Sequence, residues 1–108
     1  MTNTAPTLLA QEIRRAVVAG NFRITRHAIT EGLKDGLLPQ DIGAVMQSGE
    51  VIEDYRPDRQ ECLMLGYTEA DNLPVHVAVN FEVGGGVRAK TCYIPQRDQW
   101  ISDRIRKP

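Results

Sequence analysis

The chain has 108 residues, 13 basic and 14 acidic, for a net charge of −1, with 42% hydrophobic and 25% charged side chains. That length allows one domain and one core, and the composition excludes a disordered chain. Near-neutrality excludes a globally basic nucleic-acid binder, so any cationic surface has to be local. No apolar run reaches the roughly 20 residues that span a bilayer. No basic stretch followed by an apolar one marks a signal peptide. Two cysteines are too few for a disulfide framework, and their spacing matches no zinc motif. The reading is a cytoplasmic protein with free thiols, no membrane segment, no metal and no cofactor.

Met1 to Pro6 reads as a flexible terminus, and residues 7–108 as a single α+β domain. Leu9, Ile13, Ala16 and Val17 recur at helical spacing and Gly20 follows as a cap, which predicts a helix from about Thr7 to Ala19. Phe22 and Ile24 read as a short extended piece. Thr25 is the N-cap of a second helix carrying His27 in its first turn and Ala28, Ile29 and Leu33 as its apolar stripe. Pro39 suits the first position of a third helix, with Asp41 favouring its dipole. Ile42, Val45 and Met46 face the core there, and Gly49 ends the helix.

From Glu50 the period becomes two. Val51, Ile52 and Tyr55 predict one strand, Leu63, Leu65 and Tyr67 a second, and Leu73 to Val83 a long central third. A glycine turn at Gly84 to Gly86 leads into a fourth strand, Val87 to Ile94, and Trp100, Ile101 and Ile105 suggest a short C-terminal helix. Helices first and hairpins after predict helices packed on one face of a four-stranded antiparallel sheet.

In the central strand Val75, Val77, Val79, Phe81 and Val83 share the buried face, and His76 lies on the other. A three-residue glycine loop would pair Val83 with Val87, Val77 with Tyr93 and His76 with Ile94, and would set Glu82 beside Arg88. A five-residue loop before the central strand would put Met64 beside His76 and Cys62 beside Ala78. The second face would then carry Cys62, Met64, His76, Asn80, Cys92 and Ile94, with Arg88 and Lys90 towards the glycine turn. The two cysteines would flank the central strand roughly 9 to 10 Å apart, too far to bond.

Arg26-His27-Ala28, Gly36, Asp41-Ile42, Gly49-Glu50-Val51-Ile52-Glu53, Tyr55, Cys62-Leu63-Met64-Leu65-Gly66 and Leu73-Pro74-Val75-His76-Val77, with Tyr93 and Trp100, occur in an order that resembles the bacterial domain-of-unknown-function family four-two-five-eight. The resemblance covers about Phe22 to Trp100. It implies a fold similar to RelE and barnase, and a ribonuclease toxin of a toxin–antitoxin pair, held by a small helix-turn-helix or zinc-finger antitoxin.

Metal-independent RNA cleavage needs a base for the 2′-hydroxyl, an acid for the leaving oxygen and cations for the phosphate. Histidine suits both proton-transfer roles. His27 and His76 are the only histidines and form the expected catalytic pair, with Arg26, Arg88, Lys90 and Arg97 as phosphate or RNA ligands. Each has a plainer reading: His27 as a helix-start residue, His76 as a half-exposed or hydrogen-bonded sheet residue, Arg88 as the partner of Glu82 and Lys90 as edge protection. The alternative function is a non-catalytic protein-interaction or RNA-binding module, motivated by the near-neutral charge and by Glu31, Leu33 and Asp35 on the second helix. Self-association stays open, and so does the distance between the two histidines.

Overall fold

The computed structural model describes residues 5–108. Helix α1 (Ala5–Val18), strand β1 (Phe22–Ile24), helices α2 (Arg26–Lys34) and α3 (Pro39–Ser48), and strands β2 (Glu50–Asp54), β3 (Glu61–Tyr67), β4 (Pro74–Phe81) and β5 (Val87–Tyr93) follow in order. Of the flexible terminus expected over residues 1–6, residues 1–4 lie outside the described residues, and Ala5 and Pro6 already belong to α1.

The helices begin and end where their cap chemistry places them. The Thr25 hydroxyl accepts from the Ala28 amide at 3.1 Å, satisfying one of the donors that the first turn of α2 leaves unpaired. Gly36 takes φ +76° just past the end of α2, a conformation that costs a side-chain-bearing residue and suits glycine. Pro39 opens α3, and Asp41 in its first turn accepts from the Leu38 amide at 2.8 Å.

The sheet has five strands in the order β1-β5-β4-β3-β2. β1 runs parallel to β5, whereas the other three pairings are antiparallel. The expected four-stranded antiparallel sheet is therefore a five-stranded mixed one. Three residues are too few to show a period, and the partner of β1 lies far along the chain. The α+β class and the helices on one face stand. Leu9, Ile13, Ala28, Ile42, Val45 and Met46 pack on Val75, Val77, Val79, Val87 and Ala89 in one core, each large aliphatic contributing roughly 1.5–3 kcal/mol by burial.

Two register changes redistribute the side chains. The β3–β4 pairing is Tyr67 with Pro74, Leu65 with His76 and Leu63 with Ala78. The loop is one residue longer than expected, and a one-residue slip exchanges the faces of a strand. Leu63 and Leu65 therefore join the His76 face, while Cys62 and Met64 join the valine core. In the last hairpin Phe81 pairs with Val87, and a bulge then separates Val79–Ala89 from Ala78–Thr91. Lys90 is the extra residue, and the bulge reverses the facing of everything after it. Cys92 thereby enters the core, where its thiol donates to the Ala28 carbonyl at 3.3 Å, and Tyr93 lies opposite His76 rather than under the helices. The cysteines do not flank β4 on the second face; both are buried on the helix side with their pKa values pushed up by burial, to about 12 for Cys62 and about 11 for Cys92.

The expected C-terminal helix is absent. After Pro95 the chain forms a turn-rich strap closed by a single bridge between Trp100 and Arg106. The Ser102 hydroxyl accepts from both the Arg104 and Ile105 amides, a local bonding pattern that competes with helix.

Candidate functional site

The strap and the bulge divide the second face into a covered half and an open half. In the covered half Trp100, 1% exposed, closes over Leu63 and Ala78. Its ring meets His76 edge-on at 4.3 Å, with Tyr93 edge-on to the same imidazole at 5.3 Å. The strap is closed on itself by Arg97 to Asp103 at 2.7 Å and tied to β2 by Arg104 to Glu50 and by Arg106 to Glu53 at 2.9 Å. The Tyr67 hydroxyl donates to the Asp103 carboxylate at 2.9 Å.

His76 is 0% exposed, and its Nε2 lies 2.6 Å from the Asp103 carbonyl oxygen. A carbonyl only accepts, so Nε2 carries the hydrogen and Nδ1 is left as a bare acceptor, buried and without a partner among the described residues. Protonation would add a buried N–H with nothing to receive it. Burial is the main cause of a pKa held below the ordinary 6.5, outweighing the Asp103 carbonyl and the fields of Glu53 and Asp103. With the folded value lowered, the unfolded chain binds the proton more readily, so this part of the stability is present above pH 6.5 and is lost as the pH falls through the folded value. Glu53 and Asp103 are also held low, from ordinary values of 4.5 and 3.8, so their losses come in more acid solution. The urea midpoint is expected to fall between pH 7 and pH 5 in the native protein, and to stay flatter in His76→Gln. Equal slopes for the two proteins would refute the assignment.

In the open half the register lines up four side chains across four strands. Arg23 on β1 pairs with Arg88 on β5, Arg88 with Asn80 on β4, and Asn80 with Glu61 on β3. Arg88 Nε donates to Asn80 Oδ1 at 3.1 Å, and Asn80 Nδ2 donates to Glu61 Oε1 at 3.1 Å. The bulge turns Lys90 onto the same carboxylate, Nζ to Oε1 at 3.1 Å, while Arg59 approaches it at 3.7 Å. Arg23 is answered by Glu82 at 3.1 Å. Glu61 is only 6% exposed, yet Arg59 and Lys90 against it, and Arg23 at the far end of the row, are more than half exposed. Four cations thus surround two carboxylates on a solvent-facing surface that the strap leaves uncovered.

The residues expected to form a site are dispersed. Arg88 and Lys90 stand together in this row, although Arg88 bonds Asn80 and Glu82 is taken by Arg23. Arg97 belongs to the strap and is bound to Asp103. Arg26 and His27 are exposed at the start of α2, whose Ala28 packs in the valine core, on the side of the sheet opposite His76. The two histidines therefore do not share a site, and His76 cannot touch a substrate while the strap is closed. Sequence reasoning missed Glu61, which falls at a strand end where a polar residue looks like the start of a loop. Asn80 is on the expected face, and only the register sets Glu61 beside it.

A family model described as Domain of unknown function (DUF4258) matches residues 24–93. The match takes in α2 through β5, including Glu61, Asn80, Arg88 and Lys90, while α1 and the strap lie outside it. No curated protein and no solved structure matches the chain significantly.

Proposed function

The chain belongs to the DUF4258 family, a domain of unknown function, and from its own surface we propose that it is a cytoplasmic RNA-cleaving toxin of RelE/barnase-like kind, metal-independent and held in check by a small helix-turn-helix or zinc-finger antitoxin. The observation that carries the reading is Glu61: a nearly buried carboxylate gripped by Lys90 and Asn80, with Arg59 beside it and Arg88 and then Arg23 further along the same row. The hydrogen bonds from Asn80 and Lys90 and the ion pair with Arg59 all meet Glu61 at Oε1, leaving Oε2 to act as a base.

In the proposed reaction Oε2 of Glu61 takes the proton of the 2′-hydroxyl. The 2′ oxygen then attacks phosphorus, and the bond from phosphorus to the 5′ oxygen breaks. The leaving oxygen takes a proton from the Lys90 ammonium, and the proton that Glu61 took passes back to Lys90 through water, restoring both groups. Arg88 holds the oxygens of the reacting phosphate, as a guanidinium fork does well, and Arg23 at the far end of the row meets a neighbouring phosphate. This assignment replaces the histidine pair, which the sheet keeps apart.

The test is inducible expression with growth and RNA-integrity readouts, beside assays on purified protein. Wild type is expected to arrest growth and to leave 2′,3′-cyclic phosphate ends in the presence of a chelator. Glu61→Gln should lower cleavage by about 10²–10⁴-fold, the usual size of a general-base contribution, while His27→Ala leaves it unchanged. A folded Glu61→Gln protein that cleaves as wild type would end the carboxylate mechanism. The absence of an imidazole from the open half favours a second reading, RNA binding without cleavage. Intact RNA with salt-dependent affinity lost in Arg88→Ala would select it.

A further inference from the structure

We propose that the groove between the α2–α3 junction and the β3–β4 loop is a docking site for a basic, leucine-bearing segment of a partner protein. The groove encloses about 590 Å³ and is lined by Asp35, Leu37, Leu38 and Asp41 on one side and by Glu69, Asp71 and Leu73 on the other. Leu38 is 46% and Leu73 42% exposed, so apolar surface lies open on both walls. No lysine, arginine or histidine lines it.

Charge selects the occupant. The chain has 14 acidic side chains, and among the described residues half of them are neutralised in ion pairs across the rest of the surface. Four of the remaining seven, Asp35, Asp41, Glu69 and Asp71, meet in this one groove. Among the described residues the Asp35 carboxylate accepts the Ile94 amide, at 2.9 Å, and that of Asp41 the Leu38 amide, with no cation on either. An amide satisfies a lone pair without cancelling the charge. A nucleic acid is repelled from such a surface, while a segment with lysine or arginine flanking aliphatic side chains answers both its carboxylates and its leucines.

The groove is also separate from the cationic row. It sits at the Tyr67–Pro74 end of the β3–β4 hairpin, and Glu61–Asn80 is the other end, roughly 20 Å away along the strands. The proposal does not depend on RNA cleavage. A basic segment can be held at one pole while the other stays open.

The experiment uses the full chain and a fluorescein-labelled 12-residue peptide alternating leucine pairs with arginine, beside a charge-matched peptide with serine for leucine. Anisotropy is expected to show binding of the leucine peptide at low salt. A Glu69→Lys/Asp71→Lys variant, changed only on an exposed loop, should weaken it at least tenfold, and the serine peptide should bind at least tenfold more weakly to wild type. Amide shifts should be confined to residues 35–41 and 68–73. Arg88→Ala should leave the affinity unchanged. Equal binding of both peptides, shifts elsewhere on the surface, or an unaltered affinity in the lysine variant would each overturn the proposal.

Discussion

Replacing Trp100 by alanine is expected to cost about 3–5 kcal/mol, as large-to-small changes of buried aromatics do, and to lower the melting temperature by on the order of 15 °C in a domain of this size. The tryptophan is 1% exposed and is the largest side chain in the second core, over Leu63 and Ala78. Its loss leaves a cavity that the strap cannot refill, because the strap has no regular hydrogen-bonded structure beyond one bridge. The ion pairs Arg97–Asp103, Arg104–Glu50 and Arg106–Glu53 involve arginines about half exposed or more, and such pairs contribute roughly 0–1 kcal/mol each. They orient the strap once it is seated; they do not seat it. The guanidinium of Arg106 also rests 4.5 Å above the indole ring, a contact that alanine removes.

The same substitution should change the titration of His76. With its roof gone the imidazole gains water, so its pKa should rise back towards the ordinary 6.5 from which burial lowers it. Urea unfolding measures the first effect and an NMR titration of the imidazole the second. Trp100→Phe should recover part of both. A stability loss below 1 kcal/mol with an unmoved His76 would mean that the strap is held by its arginines instead.

The helices were legible because each is written twice, once in apolar spacing and once in cap chemistry: Leu9 with Ile13 and Gly20, Thr25 with Ala28, Pro39 with Asp41. Strand positions were legible for the same reason, in the alternation of Val75, Val77 and Val79. Register was not. It depends on loop length and on one bulged residue, and neither Lys90 nor the residues of the β3–β4 loop carry a periodic signal. Because a slip of one exchanges faces, these two details decided which of Leu63, Met64, Cys92 and Tyr93 stand beside His76. The open half shows the same limit. Arg88 and Lys90 were readable as cations on the right face, whereas Glu61 becomes a candidate base only through Asn80 and the bulge. Between half-exposed and hydrogen-bonded the sequence leaves His76 open, because the residues that bury and bond it, Trp100 and Asp103, are more than twenty positions further along the chain.

Gly49→Ala should be among the most damaging single-methyl additions to this chain, at about 3 kcal/mol or more, the upper end of the usual cost of overpacking. Gly49 lies where α3 hands over to β2, with φ −75° and ψ 177°, a backbone any residue can adopt, so the requirement for glycine comes from its neighbours. A methyl there would sit 2.6 Å from the Val45 carbonyl oxygen and 2.7 Å from that of Leu65. Both oxygens are main chain. The first already accepts the Gly49 amide at 2.7 Å, and the second belongs to β3 where Leu65 pairs with Glu50. Relief therefore requires moving the helix end away from the sheet, which costs packing of Val45 and Met46 in the core. Gly43 is the control. A methyl there meets nothing within 4 Å, and inside α3 alanine should stabilise by roughly 0.5–1 kcal/mol relative to glycine. Denaturant unfolding of the two variants should move the midpoint in opposite directions. If Gly49→Ala unfolds within 1 kcal/mol of wild type, the junction between α3 and β2 is softer than its contacts require, and the close approach of helix and sheet is not what fixes glycine there.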